Sequence, residues 1–330
     1  MNSKITSKII GTGKYKAEGV LTNHDLEQMV DTNDQWITER TGIKERRIAP
    51  SNIVTSDMAT HALKEALDMA GKTPNDIDMI ICATVTPDMP LPATAAFVQQ
   101  KIGASNMCPS FDISAACAGF IYGLSIADKF IKTGQVKTVA VIGVEMLTRF
   151  MNFEDRNTCV LFGDGAGATL LTADTGGKGV LSTHIYTDGS LTGLLEIPGG
   201  GSKRPPSAQT IANKQHFITM EGRETFKVAV KNLSEAAETA LEVNGYKGED
   251  VAVVAAHQAN IRILNSVSKR TRIPMDKFAI TIDRYGNTSS ASIPLSLDEA
   301  LRDGRVNDND LILMMALGGG ISWGSALVKW

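Results

Sequence analysis

Apolar segments of strand length alternate with helical patterns along most of the chain. Several of these apolar segments lack polar alternation, which is typical of strands that are buried on both faces. The pattern predicts strands at 78–85, 107–114, 136–145, 167–173, 251–257, 278–282 and 311–316, with a last strand in ISWGSALVKW. It predicts helices at 92–103, 117–132, 221–244, 260–271 and 289–303. Strands that alternate with helices in this way indicate an α/β fold around a largely buried sheet.

Two parts of the chain repeat one order of elements. LFGDGAGATLLT (161–172) reads as strand, glycine-rich turn and strand, and ALGGGISWGSALV (316–328) has the same arrangement. The repetition predicts two similar halves, at 1–173 and 221–330. The segment 174–220 between them is rich in Gly, Pro and Ser, and we expect it to be a long connecting excursion. Such a segment is either a functional loop or a mobile surface loop.

The composition is that of an ordinary globular protein of 330 residues, with 43% hydrophobic residues, 21% charged residues and a formal net charge of −3. A slightly acidic chain argues against nucleic-acid binding, which usually needs a basic surface. The stretch MNSKITSKIIGTGKY lacks the apolar core of a signal peptide, and no apolar run approaches the ~20 residues of a membrane span. We therefore expect a cytoplasmic protein that binds neither nucleic acid nor membranes.

The cysteines and histidines show no metal-binding spacing. Cys82, Cys108, Cys117 and Cys159 form no CxxC pair, and the five histidines are scattered. In a chain of this size and expected location, four such cysteines do not indicate a disulfide framework. We expect no metal site.

Cys117 is the first candidate for chemistry. It lies in SAACAGF, between a predicted strand and the predicted helix 117–132, with small residues on both sides. A thiol at a helix N-terminus meets the positive end of the helix dipole, which favours the thiolate and predicts a lowered pKa. The same backbone N–H groups could bind an oxyanion. A small buried cysteine in the core is the alternative, and this stretch alone does not decide between them.

Two more candidates follow predicted strands in the second half. His257 ends an apolar strand in AAHQAN, at the strand end where α/β proteins place their sites. Asn287 follows a glycine in DRYGNTSSAS. A surface histidine and ordinary turn chemistry are the alternatives for these two residues.

Taken together, the motifs resemble one family over essentially the whole chain. The motifs that carry the resemblance are similar, in chain order, to the signatures of β-ketoacyl-acyl-carrier-protein synthase III: NDQWITERTGIKERR, SAACAGF, LFGDGAGA, HQAN, YGNTSSAS and GGGISWGSAL. This resemblance implies the thiolase fold, in which two duplicated βαβ-rich halves form a layered α-β-α-β-α sandwich. It also implies a homodimer that begins fatty-acid synthesis.

The family pattern implies a role for each candidate. Cys117 would accept the acyl group of an acyl-CoA, which is a substrate, so that no cofactor is expected. Malonyl-acyl carrier protein (malonyl-ACP) would then lose CO2, and its enolate would attack the acyl-cysteine to give β-ketoacyl-ACP. His257 and Asn287 would bind the malonyl thioester oxygen as neutral donors. The backbone N–H groups of Cys117 and Gly319 would form the oxyanion hole of the acyl-transfer steps.

The resemblance also implies binding residues. Trp36 and Arg156 would cover the two faces of the CoA adenine, and further CoA contacts would come from Arg40, Thr41 and Asn260. The segment 261–273 carries Arg262, Lys269, Arg270 and Arg272 with no acidic residue, which suggests a docking surface for the acidic carrier protein.

Two leucines bear on the acyl group. Leu317 stands where an aromatic residue is expected, and Leu91 stands where a phenylalanine would reach into the partner's acyl pocket. Leu317 suggests a roomier pocket near His257 and Asn287, and Leu91 suggests tolerance of acyl chains longer than acetyl.

The main alternatives share parts of this pattern. A thiolase is excluded because it needs a second cysteine in the C-terminal half, and no cysteine follows Cys159. An elongating synthase uses Cys-His-His, whereas the third position here is Asn287. A Cys-His-Asn condensing enzyme of secondary metabolism, with a different acyl starter, remains open.

Overall fold

The computed structural model describes residues 5–330. Within them lie thirteen strands: β1 Thr6–Lys16, β2 Gly19–Thr22, β3 Glu45–Ile48, β4 Met79–Ala83, β5 Ser110–Ile113, β6 Thr138–Met146, β7 Asp164–Asp174, β8 Gly179–Thr187, β9 Leu195–Glu196, β10 Thr219–Met220, β11 Val251–Ala256, β12 Leu311–Gly318 and β13 Ser322–Lys329. The same range contains eleven α-helices: α1 Asn23–Glu27, α2 Asp34–Thr41, α3 Thr55–Ala70, α4 Thr94–Ile102, α5 Gly119–Lys132, α6 Arg156–Cys159, α7 Ala208–Ala212, α8 Gly222–Val243, α9 Ile261–Thr271, α10 Ile282–Tyr285 and α11 Ser292–Arg302.

Two mixed sheets repeat one topology. The first has the strand order β1-β7-β6-β4-β5, and the second has the order β8-β13-β12-β11. In both sheets each of the first three strands is antiparallel to its neighbour, and the next pair, β6 with β4 or β12 with β11, is parallel. The duplication that the sequence suggested is therefore present in the pairing of the strands.

Helices α5 and α11 lie between the two sheets. The face of α5 that carries Phe120, Ile121, Leu124, Ala127 and Ile131 is fully buried, in one cluster with residues of β6, β12 and α11. Each large side chain buried in this way stabilises the fold by about 1.5–3 kcal/mol. Helices α3 and α4 cover the outer face of the first sheet, and α8 and α9 cover that of the second. The layers are thus α-β-α-β-α, as the resemblance implied.

One predicted strand does not form. Segment 278–282 lies beside β11, at the place that β5 has beside β4, but it makes only a single bridge, from Phe278 to Val254. The side chain of Gln258 bonds the backbone here instead: its amide donates to the carbonyl of Ala279, and its oxygen accepts from the N–H groups of Thr281 and Ile282. These side-chain bonds take the place of the backbone hydrogen bonds of a strand, and helix α10 begins directly after them, at Ile282.

The expected excursion 174–220 also differs from expectation. It contains β8, which pairs with β13 as the edge of the second sheet. The sequence pattern also missed β1 and α3, and it predicted a turn in GDGAGA (163–168), where β7 already begins at Asp164. No helix within residues 5–330 has the length and apolar character that a membrane span requires.

Candidate active site

Cys117 lies in a tight turn at the start of the central helix α5. The turn is a single 3₁₀ segment, Ala116–Ala118, and Ala116 has a φ of +46°, in the region that favours glycine. The Cys117 side chain is 5% exposed. The end of β12 packs on this turn so closely that a Cβ at Gly318 would lie 2.4 Å from the backbone nitrogen of Cys117. Glycine at 318 is therefore required by close backbone approach.

The pKa of Cys117 is opposite to the prediction. Burial raises the pKa of the thiol to about 12, and the carboxyl of Glu145 adds to the increase. The hydroxyl of Ser289 and the thiol's own backbone act in the lowering direction. Desolvation therefore outweighs the effect expected from the helix N-terminus, and the resting side chain is a thiol.

His257 follows the last residue of β11 and is 4% exposed. Its backbone N–H donates to the carbonyl of Met315, 2.8 Å away, so the residue is fixed to β12. Its Nδ1 lies 3.2 Å from the hydroxyl of Ser292 on α11. Burial lowers the pKa of His257 to about 4, against a smaller raising effect of the Ser289 backbone. The imidazole is therefore neutral near pH 7, as an enolate-binding donor must be.

Asn287 makes three hydrogen bonds to backbone groups, through its N–H, its carbonyl and its side-chain oxygen. It follows Gly286, whose φ is +71°, and its own N–H donates to the carbonyl of Leu161 at 2.9 Å. Its carbonyl accepts from Gly163 at 3.0 Å. The side-chain oxygen accepts from the N–H of Ser289 at 2.9 Å, which leaves the amide NH2 as the free donor of the side chain.

Two cavities meet at Cys117. The smaller one, about 40 Å³, is lined by Cys117 together with His257, Asn287 and Leu317. The larger one, about 540 Å³, is lined by Cys117, Ser289, Gly319 and residues of the segment 187–197. The larger volume lies in the range of small-molecule sites. The fold thus brings the three predicted catalytic residues, from three separate segments, to one small space, and it places both predicted oxyanion donors beside the larger one.

The two predicted acyl-pocket residues lie apart. Leu317 is 5% exposed and lines the smaller cavity, beside the predicted enolate-binding pair. Leu91 is 83% exposed and lines neither cavity in the single chain. The walls of the larger cavity come instead from residues that the sequence did not single out, among them Val85, Leu147, Phe162, Leu195 and Ile218.

Trp36 lies in contact with two arginines. The guanidinium carbon of Arg40 is 4.7 Å from the Trp36 ring centroid, and that of Arg156 is 5.0 Å from it. An adenine inserted between Trp36 and Arg156 would require about 7–8 Å, which is two contact distances. The predicted adenine site therefore requires Arg156 to move outward when CoA binds.

Thr41 and Asn260 have local structural roles. Thr41 is 4% exposed, its hydroxyl donates to the carbonyl of Ile37 at 2.7 Å, and it accepts from the N–H of Ile43 at 3.0 Å. The hydroxyl of Thr41 is thus buried and already paired, and the contact of Thr41 with CoA stays a prediction. Asn260 is the N-cap of α9, where its oxygen accepts from the N–H of Arg262 at 2.8 Å and its NH2 remains available.

The predicted docking residues lie on the exposed side of α9, with Ile263, Leu264 and Val267 buried beneath. Arg270 pairs with Glu235 of α8 at 3.5 Å. Within residues 5–330, Arg262 and Lys269 form no ion pair, and Arg262 lies over the ring of Phe226, 5.8 Å from its centroid. Phe226 belongs to α8, which with α9 flanks the smaller cavity, so Arg262 stands close to that cavity.

Two residues near Cys117 were missed by the sequence prediction. Ser289 lines the larger cavity, and its hydroxyl donates to Glu145, which is fully buried at the end of β6. The available signal was an acidic residue within the apolar run VAVIGVEM. No group of three or more metal-binding side chains occurs in the part of the chain that the structure describes.

Comparisons with known proteins agree over the whole chain. Residues 111–189 match the family model described as 3-Oxoacyl-[acyl-carrier-protein (ACP)] synthase III, and residues 241–330 match the model of its C-terminal part. A relative named Beta-ketoacyl-[acyl-carrier-protein] synthase III, from Caldanaerobacter subterraneus subsp. tengcongensis, is 50% identical over 100% of this chain and 99% of its own.

Solved structures give the same result. The crystal structure of 3-oxoacyl-[acyl-carrier-protein] synthase III from Aquifex aeolicus VF5 is 49% identical, with a TM-score of 0.91 over 98% of this chain and 100% of that one. The priming β-ketosynthase of the R1128 polyketide pathway has a TM-score of 0.92 over 100% of this chain and 97% of its own, but it is 31% identical.

These matches define the class of protein as a condensing acyltransferase of the thiolase fold. Within that class, the chain belongs to the β-ketoacyl-ACP synthase III family, whose enzymes initiate fatty-acid synthesis. The family resemblance is confirmed, and the alternative, a condensing enzyme of secondary metabolism, is represented at lower identity.

Proposed function

We propose that this chain transfers an acyl group from acyl-CoA to Cys117 and then condenses it with malonyl-ACP. The products are β-ketoacyl-ACP, CO2 and free CoA. The observation that carries the proposal is the meeting of the two cavities at Cys117, since one cavity holds the predicted enolate-binding pair and the other offers space for an acyl chain.

The enolate step follows from the hydrogen bonds of the two donors. When the Ser292 hydroxyl donates to Nδ1 of His257, Nε2 carries the hydrogen and faces the reaction as a donor. The Asn287 amide presents its NH2 because its oxygen accepts from Ser289. Two neutral, fixed donors stabilise the enolate oxygen without giving up a proton to it.

The acyl-transfer step needs a different set of donors. The backbone N–H groups of Cys117 and Gly319 act on the thioester oxygen, and the close packing of Gly318 on the Cys117 turn keeps the two segments together. Trp36, Arg156, Arg40 and the NH2 of Asn260 bind CoA, while Arg262 and Lys269 attract the acidic carrier protein.

The remaining parts of the proposal concern location, assembly and starter. The enzyme is cytoplasmic and works as a homodimer. In the dimer, the 83% exposed Leu91 is covered by the partner and closes the partner's acyl pocket. A leucine at this position accepts chains longer than acetyl, so comparable kcat/KM values for acetyl-CoA and C4–C8 acyl-CoAs are expected, and a strict acetyl preference would contradict it.

Single-turnover kinetics test the division of roles. Asn287→Asp keeps the size of the side chain and its bond from Ser289, but it replaces the NH2 donor by a carboxylate oxygen. This variant should still take an acyl group from acyl-CoA, whereas CO2 release from malonyl-ACP should fall by about 10²–10³-fold. Cys117→Ser should lose acyl transfer itself. Full condensation by Asn287→Asp would overturn the assignment of the enolate site.

A further inference from the structure

Arg46 is a fully buried cation for which the proposed reaction has no role. It belongs to the segment NDQWITERTGIKERR, lies in β3 and has no exposed surface. Burial lowers the pKa of its guanidinium to about 10, so the group remains charged near pH 7. Within residues 5–330 its hydrogen-bond partners are neutral: the carbonyl of Val160 and the side chain of Asn23. A buried charge is not by itself a source of stability, so its presence calls for another explanation.

The guanidinium binds a carbonyl at the end of helix α6. Its Nε and one Nη both donate to the oxygen of Val160, at 2.9 and 2.6 Å. Val160 is the C-cap of α6, where the last carbonyls have no partner within the helix. Hydrogen bonds from a charged donor are about twice as strong as neutral ones. The two bonds together therefore fix the backbone firmly at this point.

The residues that follow this carbonyl hold Asn287. The carbonyl of Leu161 accepts from the N–H of Asn287 at 2.9 Å, and the N–H of Gly163 donates to its carbonyl at 3.0 Å. The stem of Arg46 packs on the residue before Asn287, since a Cβ at Gly286 would lie 2.9 Å from the Arg46 Cγ. Arg46 thus contacts both segments whose pairing sets the position of Asn287.

The third bond of the guanidinium leads to helix α2, which carries Trp36. The other Nη donates to the side-chain oxygen of Asn23 at 2.6 Å. The NH2 of Asn23 donates to the carboxylate of Asp34 and to the carbonyl of Ile43, each at 2.8 Å. Asp34 begins α2, and Ile43 lies just beyond its end. The segment that holds Asn287 is therefore tied through one side chain to a second rigid element.

We propose that Arg46 is a positioning residue of the condensation step, which holds the backbone around Asn287 through Val160 and so aims the Asn287 amide at the enolate oxygen. The inference rests on the proposed role of Asn287. Arg46 lines neither cavity, so it acts through the segment that it holds. The Cys117 turn packs instead on β12, at Gly318, and acyl transfer should therefore depend much less on Arg46.

Two rates measured on the same variants test this role. The first is single-turnover acylation of Cys117 by saturating acetyl-CoA, and the second is CO2 release from malonyl-ACP by the acetyl-enzyme. Arg46→Met keeps much of the length of the side chain but removes both donors from the Val160 carbonyl. Because a displacement of about 1 Å at a reacting group costs about 10²-fold in rate, CO2 release should fall by about 10²-fold. Acylation at saturation should stay close to that of the wild type.

Two further variants control for a loss of stability. Arg149→Met removes a guanidinium that donates to the carbonyls of Ser51 and Ile53, at 3.0 and 2.7 Å, in a loop that lines neither cavity. It should lower Tm and leave the ratio of the two rates unchanged. Arg46→Lys keeps the charge but offers one nitrogen where three now donate. It should show a smaller loss of CO2 release than Arg46→Met, which keeps the test available if Arg46→Met does not fold.

A double-mutant cycle gives a readout that a purely structural role would not change. Arg46→Met should add little to the loss of CO2 release in Asn287→Asp, because the donor that Arg46 positions is already absent there. Unchanged CO2 release in the Arg46 variants, equal losses of both rates, or losses that add in the double variant would overturn the positioning role. Full CO2 release by Asn287→Asp alone would instead refute the proposed function, so the two failures are distinguishable.

Discussion

Replacing Gly318 by alanine should damage the site through the backbone of the nucleophile turn. The new Cβ would lie 2.4 Å from the nitrogen of Cys117 and 3.1 Å from both the Ala118 nitrogen and the Ala116 Cβ. Ordinary contact begins near 3.4 Å, so about 1 Å of movement is needed. The neighbours are mostly backbone atoms of a turn that already holds a positive φ at Ala116, so they cannot yield as a flexible side chain would.

The expected magnitudes follow from this clash. Overpacking of this kind costs about 1–3 kcal/mol of stability. A displacement of about 1 Å at a reacting group costs about 10²-fold in rate. We therefore expect Gly318→Ala to fold with a lowered Tm and to lose about 10²-fold in single-turnover acylation.

Gly189→Ala is the matched control. Gly189 lines the larger cavity, which Cys117 also lines, and a Cβ there meets nothing within 4 Å. Thermal unfolding and acylation kinetics of the two variants, measured side by side, give the comparison. If Gly318→Ala acylated as fast as Gly189→Ala, the close packing of β12 on the Cys117 turn would not position the nucleophile.

Three further predictions concern binding and pH. Trp36→Ala should weaken CoA binding by about 1–3 kcal/mol, or about 5- to 150-fold in Kd, without slowing acylation at saturation; an unchanged Kd would remove Trp36 from the site. Charge reversal of Arg262 and Lys269 to Glu should raise KM for the carrier protein but not for acyl-CoA, whereas Arg270→Glu, at a guanidinium already paired with Glu235, should have a smaller effect; equal changes in both KM values would refute the docking surface. The folded-state pKa of His257, about 4, lies below its ordinary value of 6.5, so the unfolded chain takes up the proton first as pH falls. Relative to His257→Gln, the wild type should therefore lose about 2 kcal/mol of unfolding free energy between pH 7.5 and pH 5, as measured with urea, and parallel losses would contradict the buried neutral imidazole.

The sequence pattern predicted strands best where burial is complete. β4, β11 and β12 are apolar throughout, β6 is apolar apart from Thr138 and Glu145, and each of these buried strands was recognised within a few residues. Segment 278–282 has the same apolar character, but the side chain of Gln258 occupies its backbone groups. A competition between a side chain and a neighbouring strand cannot be predicted from local composition, since it depends on where the fold brings Gln258.

In the active site, too, some residues could be predicted from local sequence and others depend on the folded chain. Cys117, His257 and Asn287 lie in motifs that local sequence and family resemblance both mark. Glu145 and Ser289 are 144 residues apart, and only the pairing of the two halves brings them together. The pKa of Cys117 was predicted in the wrong direction because a helix N-terminus is visible in the sequence, whereas the depth of burial that raises the pKa is a property of the folded chain.

The most direct test of the account is the site of acylation. Intact enzyme would be incubated with acetyl-CoA without malonyl-ACP, digested and examined by mass spectrometry. The account predicts one acetyl adduct, on the peptide that contains Cys117, with none on the buried thiols Cys82, Cys108 and Cys159. Addition of malonyl-ACP should remove the adduct as β-ketoacyl-ACP forms. An adduct on another residue, or condensation by Cys117→Ala at the wild-type rate, would contradict the central claim that Cys117 carries the acyl group.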